Sequence, residues 1–276
     1  MEVAQPDRQR HALAAATAVV ERYGMEVRRP AVLHDSNNTV IHLRPMPLVA
    51  KVATGPGNTS LEKELSVVQY LTTQNARIVP PTSLFPPGPY TEDGLRMTFW
   101  ESWPHTPGDI PEDVAGEALR SLHSALAQYP ELLPPWDRFD NVGWVLFAPD
   151  SLSALRVQDR DFLRDLYKDL SATISTFTYQ VRPLHGEPHG GNLLMSSAGP
   201  RWIDFESACM GPQEWDLTML SDEVVAQHFE KVDYQLLGVL RKMRSLCVAT
   251  WCWVDPDRDP ILREAGTYHL ALLQGN

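Results

Sequence analysis

The sequence predicts an α+β fold of two lobes, a small antiparallel sheet carrying one helix and then a mainly helical second half. Three observations carry that expectation. Short β-branched runs separated by turn residues fill Met25 to about Glu101, a Pro/Gly/Thr cluster "WPHTPGDIP" follows, and beyond it apolar residues recur at helical spacing. The boundary is placed there, giving a first lobe of residues 1–101 and a helical lobe of 102–276. With 276 residues, 43% of them hydrophobic and 21% charged, the chain can bury two cores.

The first element is an alanine-rich run, Ala12 to Val20, preceded by Arg8 and Arg10 and continuing into Glu21 and Arg22. That pattern reads as an amphipathic helix and not a secretory leader, with Asp7 capping its start and Gly24 ending it. "MEVRRPAVL", "NTVIHLRP" and "PLVAKVA" read as strands. "SLEKELSVVQYLTT" places Leu61, Leu65, Val68 and Leu71 on one helical face behind a cap at Ser60. "RIVPPTSLF" and "LRMTFWES" return to extended structure across a stiff loop rich in proline. Three stripes then mark helices: Val114, Leu119, Leu122 and Leu126; Phe162, Leu166, Leu170 and Ile174; Leu236, Leu240, Met243, Cys247 and Trp251.

A formal net charge of -11 argues against nucleic acid or an anionic membrane as the main partner and favours a neutral or cationic one. Cys209, Cys247 and Cys252 form no CxxC pair and are an odd number in a chain of this size, so a reducing cytoplasm is the expected setting. No stretch approaches the length needed to cross a bilayer.

The chemistry concentrates in two non-helical segments, "LHGEPHGGNLLM" and "RWIDFESACMGP". In the first, glycines and Pro188 forbid a regular helix, so His185, Glu187, His189 and Asn192 must sit on a shaped loop. Leu193 and Leu194, a turn from Ser196 to Pro200, and then Trp202 and Ile203 predict a hairpin with Asn192 at one end and Asp204 at the other. An amide and a carboxylate so paired are hard oxygen ligands suited to Mg²⁺ that also touches phosphate. Glu187, five positions before Asn192, could take a proton from an attacking hydroxyl. Upstream, Lys51 stands alone in the apolar strand "LVAKVA", where its ammonium needs an anion.

The two segments resemble the HGDxHxxN loop and the metal-binding segment of aminoglycoside phosphotransferases and choline kinases, whose fold is protein-kinase-like. The order parallels the HRDxxxxN and DFG elements of protein kinases. The resemblance implies a small-molecule kinase that uses ATP and Mg²⁺ in its cleft, with the acceptor bound mainly by the helical lobe. Asn192 and Asp204 would bind the metal, Lys51 would steady the α and β phosphates, and Glu64, or alternatively Glu62, would pair with Lys51. His189 would approach the transferred phosphoryl group, and Asp216 in "EWDL" would brace the loop. "HDSNNTV" would cover the phosphates with backbone N–H groups and short side chains around Ser36, Asn37 and Asn38. Phe99, Trp100 and Glu101 fall where the family joins its lobes, so their backbone would meet adenine. The implied acceptor is a small hydroxyl compound, an aminoglycoside or amino sugar.

One departure stands out: the family's usual catalytic aspartate is Glu187 here, with an added bond of about 1.5 Å. That leaves two other readings beside the amine-acceptor kinase: a non-catalytic nucleotide-binding protein, and a kinase for choline, homoserine or a sugar. Zinc is disfavoured, because Pro188 and the glycines remove the helix an HxxxH site needs, and the PCxxC of zinc deaminases is absent. His123 on its apolar face reads as packing, Trp251 and Trp253 as core, and Asp255, Asp257 and Asp259 as an exposed loop.

Overall fold

The computed structural model describes residues 5–55, 61–106, 108–136, 138–256 and 260–275. Ser60, Asp257 and Asp259 lie outside the described residues. The chain divides into two compact units, Met1–Leu133 with Glu187–Ala208, and Pro134–Gly186 with Cys209–Asn276.

The first unit begins with α1, Gln5–Glu21. Ala12, Ala15, Ala16, Val19 and Val20 repeat at the spacing of one helical face, and all five are buried. The helix starts two residues before Asp7, so Asp7 is not its cap; it sits in the first turn, where the helix dipole favours an acid, and pairs with Arg10. Gly24 ends the helix as expected, adopting φ 73° while its N–H bonds to Glu21 C=O at 2.9 Å.

Five antiparallel strands follow: β1 Ala31–Asp35, β2 Asn38–His42, β3 Leu48–Ala53, β4 Tyr90–Glu92 and β5 Leu95–Glu101, in the order β1-β2-β3-β5-β4. Strand β1 is shorter than the run from Met25 suggested. Pro30 precedes it, and the N–H groups of Arg28 and Arg29 go to Arg44 C=O without forming a ladder. "RIVPPTSLF" likewise makes isolated bridges only, Ile78 to Trp202 and Pro81 to Trp100, because its prolines have no N–H to donate. Leu48, Ala50 and Val52 of β3 face the α1 core together with Ile41, Met97 and Phe99. The two-residue period of the strand therefore turns Lys51 to the other face.

Helix α2, Leu61–Thr73, buries the predicted Leu61, Leu65, Val68 and Leu71, and with them Glu64. Helix α3, Glu112–Leu126, buries Leu119, Leu122 and Leu126 of its stripe, with His123 half-buried beside them. The hairpin read from the sequence is present as β7 Leu193–Ser196 and β8 Gly199–Trp202, after the ribbon strand β6, Val181–Leu184. Trp202 is tied back at both backbone groups, to Arg77 C=O and Val79 N–H, each at 3.0 Å.

The second unit is mainly helical: α4 Arg138–Phe147, α5 Val157–Ser175, α6 Gln213–Leu217, α7 Asp222–His228, α8 Tyr234–Val254 and α9 Pro260–Gln274. The ribbon of β6 and β9, Cys209–Pro212, lies in this unit. Its core gathers Leu163, Leu170 and Ile174 of α5 with Leu236, Leu240, Met243 and Leu246 of α8. The stripe on α8 does not extend to Trp251, which is 50% exposed. Toward its end α8 turns another face to α9, where a Cβ on Gly266 would come within 2.7 Å of Trp253 Nε1, and Trp253 is the buried tryptophan.

Candidate active site

Lys51 reaches the far face of the sheet, where its ammonium lies 2.9 Å from both carboxylate oxygens of Glu64, 2.7 Å from Asp204 and 3.2 Å from Glu206. Glu64 is buried and faces Lys51; Glu62, one face away on α2, is exposed and pairs with Arg96. Burial works against the lysine's charge, but the three carboxylates outweigh it and hold Lys51 protonated, its pKa raised. Burial also pushes the Glu64 carboxyl up, to about 7; Lys51 pulls it down, and Asp204 adds to the rise. One ammonium among three acids leaves an excess of negative charge.

Asp204 stands where β8 ends, in left-handed backbone at φ 66°, and the 3₁₀ turn Phe205–Ser207 follows it. That turn is fixed from several sides. Phe205 N–H donates to Glu64 Oε1 at 3.1 Å, and Lys63 Nζ donates to the carbonyls of Glu206 at 2.7 Å and Ala208 at 3.0 Å. The Glu206 carboxylate also accepts from Asn38 Nδ2 at 3.0 Å.

The loop before β7 is built from its own polar groups. His189 N–H and Asn192 Nδ2 both donate to Glu187 C=O at 2.9 Å, and His189 Nδ1 accepts Gly191 N–H at 3.1 Å. Asn192 thus keeps Oδ1 as its acceptor atom, and a neutral His189 carries its proton on Nε2. The Glu187 carboxylate accepts a hydrogen bond from Ser207 Oγ at 3.1 Å. Ile203 N–H bonds Asn192 C=O at 2.9 Å, closing the hairpin and joining the loop to the residue before Asp204. In the other unit, buried Asp216 accepts the N–H groups of His185 and Gly186, each at 2.9 Å, and Trp215 Nε1 donates to Gly186 C=O at 2.8 Å. Gly186 holds φ 87°, a conformation costly for a residue with a Cβ.

The turn of β1–β2 carries Ser36 and Asn37, with Asn38 opening β2. Ser36 N–H bonds Asn38 C=O at 3.1 Å, and Asn37 C=O accepts from Gly55 at 2.8 Å. Gly55 is needed for this approach, since a Cβ there would lie 2.9 Å from Asn37 Cα. Asp35, next to the turn, accepts from Arg8 and Gln9 of α1 and from Thr39. Burial pushes the Asp35 carboxyl up, but those bonds outweigh it and hold it below the usual range. At the end of β5, Trp100 is buried with Nε1 on Thr98, while the Glu101 N–H is engaged by Pro80 C=O at 3.1 Å. An adenine ring would not find that donor open. The first unit thus brings Lys51, Glu64 and Asp204 together, ties Glu187 to Asn192, and sets Asn38 on the Glu206 carboxylate beside them.

A buried lysine held by helix and loop carboxylates, followed by a polar loop and an Asn–Asp hairpin, is the arrangement expected of a kinase. A model of the family described as the phosphotransferase enzyme family matches residues 28–240. The chain belongs to that family. No curated protein matches the sequence. Among solved structures, choline kinase LicA from Streptococcus pneumoniae superposes with a TM-score of 0.70 at 12% identity, over 96% of this chain and 100% of that one. A choline/ethanolamine kinase family protein from Mesorhizobium loti gives 0.69 at 15% identity, over 97% and 94%. Spectinomycin phosphotransferase APH(9)-Ia, solved with ADP and spectinomycin, gives 0.66 at 16% identity, over 92% of each chain. The α+β, kinase-like fold read from the sequence is the fold of these solved kinases, and the family makes the chain a phosphotransferase.

Three residues of the site escaped the sequence reading: Glu206, Ser207 and Lys63. All act through the 3₁₀ turn after Asp204, whose tight winding places acid, hydroxyl and carbonyls in three directions. The second acid in "IDFES" was the available signal for Glu206. Nothing in the spacing marked the other two.

Proposed function

We propose that the protein transfers the γ-phosphoryl group of ATP to a hydroxyl of a small, amine-bearing acceptor such as an aminoglycoside or amino sugar. The observation that carries this reading is Lys51 held by Glu64 and Asp204, in the same unit as the Glu187 loop. Lys51 would hold the α and β phosphates, with the turn at Ser36, Asn37 and Asn38 over them and the carbonyl side of Trp100 and Glu101 toward adenine. Asn192 and Asp204 fit Mg²⁺, both offering hard oxygens beside an excess of carboxylate charge. When bound, the metal neutralises charge on the phosphates. Glu187 accepts the acceptor's hydroxyl proton while that oxygen bonds to the γ-phosphorus. The bond to the bridging oxygen breaks, and ADP leaves with its electron pair. His189 Nε2–H would donate to the phosphoryl oxygens. Catalysis is then positioning and charge stabilisation.

The sequence reading gave 1–101 to the nucleotide and 102–276 to loop and acceptor; the loop from Glu187 instead belongs to the unit that holds Lys51, and the acceptor is assigned to the remaining helical part. The acidic balance of the chain favours a cationic acceptor over nucleic acid or a membrane surface. Among the described residues no helix is long and apolar enough to cross a membrane, and all three cysteines are free thiols, which supports a reducing cytoplasm.

Coupled release of ADP from ATP, or of GDP from GTP, with kanamycin, spectinomycin, glucosamine, choline and homoserine tests the proposal. Turnover confined to choline or homoserine would move the assignment to a metabolite kinase. The Glu187 replacement favours a second reading, a nucleotide binder without transfer. Native protein that binds Mg-ATP yet transfers nothing, while Glu187→Asp transfers, would establish it.

A further inference from the structure

We propose that Ser207 is the positioning residue that makes a glutamate workable at position 187. The inference rests on the reading of Glu187 as the group that takes the acceptor's proton. Compared with aspartate, Glu187 has one more rotatable bond, and its carboxylate sweeps a volume about 1.5 Å deeper. The loop fixes its backbone, through His189 N–H and Asn192 Nδ2 on its carbonyl, but those bonds do nothing to fix the side chain. Ser207 does, by donating its hydroxyl to Oε2 at 3.1 Å.

The anchor is itself rigid. Ser207 closes the 3₁₀ turn that Glu64 holds at Phe205 N–H and that Lys63 holds at the carbonyls of Glu206 and Ala208. Glu206, the residue before it, is 3.2 Å from Lys51. The same turn that carries the metal-side carboxylates therefore sets where the base ends. Holding Oε2 at that point fixes the reach of the carboxylate toward the acceptor's hydroxyl.

The test compares native protein, Ser207→Ala, Ser207→Thr and Ser207→Cys, each also in a Glu187→Asp background. Rates of ADP release from Mg-ATP are measured, as kcat and KM, with kanamycin, spectinomycin, glucosamine, choline and homoserine. Melting temperature and Mg-ATP affinity are followed alongside. Ser207→Ala is expected to lower kcat between about tenfold and a hundredfold, with KM for ATP and Mg-ATP affinity within about twofold of native. Threonine should restore the rate, and in the Glu187→Asp background Ser207→Ala should add no further loss. Native kcat in Ser207→Ala, or an equal loss in both backgrounds, overturns the role of Ser207 alone. If alanine impairs folding, the threonine and cysteine variants carry the comparison, and cysteine retaining full kcat overturns it. Native protein inactive with every acceptor while Glu187→Asp is active removes the reading of Glu187, and this inference with it.

Discussion

Both carboxylate oxygens of Glu64 lie 2.9 Å from the Lys51 ammonium, and Oε1 of the same group also receives the Phe205 N–H. Helix α2, strand β3 and the turn after β8 therefore meet on one carboxylate. Lys51→Met leaves the three acids without their cation. Breaking a buried pair this way costs about 3 kcal/mol or more, to be read from the midpoint of urea unfolding. Phosphoryl transfer should fall at least about a hundredfold, as for loss of a strong electrostatic contact in a transition state. Glu64→Gln, which keeps an acceptor for Phe205 N–H, should cost less stability.

The same carboxylate gives a pH signature. Its pKa in the folded protein is raised from 4.5 to about 7, so between those values the folded state binds more protons than the unfolded one. Stability of the nucleotide-free protein should therefore fall as pH rises from about 4.5 to about 7. On the acid side Asp35 acts in the opposite sense. Its lowered pKa makes its stabilisation present above 3.8 and lost as pH falls further. Melting temperature measured against pH should show the neutral-side decline in native protein and a flatter curve in Glu64→Gln.

Asp204 separates backbone from chemistry. Its φ of 66° suits asparagine nearly as well as aspartate and is costly for a β-branched residue. Asp204→Asn should melt within a few degrees of native yet lose most of the thermal shift that Mg-ATP produces. Asp204→Val should lose that shift and also about 1–3 kcal/mol of stability through strain.

Asp216 is buried with two backbone donors on it. Asp216→Ala strands the N–H groups of His185 and Gly186, each at about 1–3 kcal/mol where no water replaces the acceptor. Amide exchange at those two residues should accelerate, and kcat should drop even where Mg-ATP still binds.

Much of this site could be read before any coordinates, for reasons specific to each residue. Lys51 announced itself because a charge in an apolar strand demands a partner, and the hairpin from Leu193 to Trp202 because a turn separates two apolar pairs. Glu64 came from the resemblance, with Glu62 as its alternative, and it shares the buried face of Leu61, Leu65 and Val68. Asp7 misled as a cap because the first turn of a helix favours acids as its cap does. Trp251 misled because a stripe read as one face gave no notice that α8 would change faces against α9. Ser207 and Lys63 were silent. Their roles depend on a hydroxyl and an ammonium meeting groups many positions away, and no local period encodes such a meeting.

The hold of α1 on Asp35 reaches beyond stability. Arg8 and Gln9 grip the residue beside the turn proposed to lie over the phosphates, from a helix whose apolar face also completes the core of the sheet. A chain shortened to begin after Gly24 would keep every residue assigned to ATP, Mg²⁺ and phosphoryl transfer. It would still present that turn unbraced. Trimming that looks harmless by motif would therefore be expected to weaken nucleotide capture, so α1 belongs inside the smallest version of this enzyme worth making.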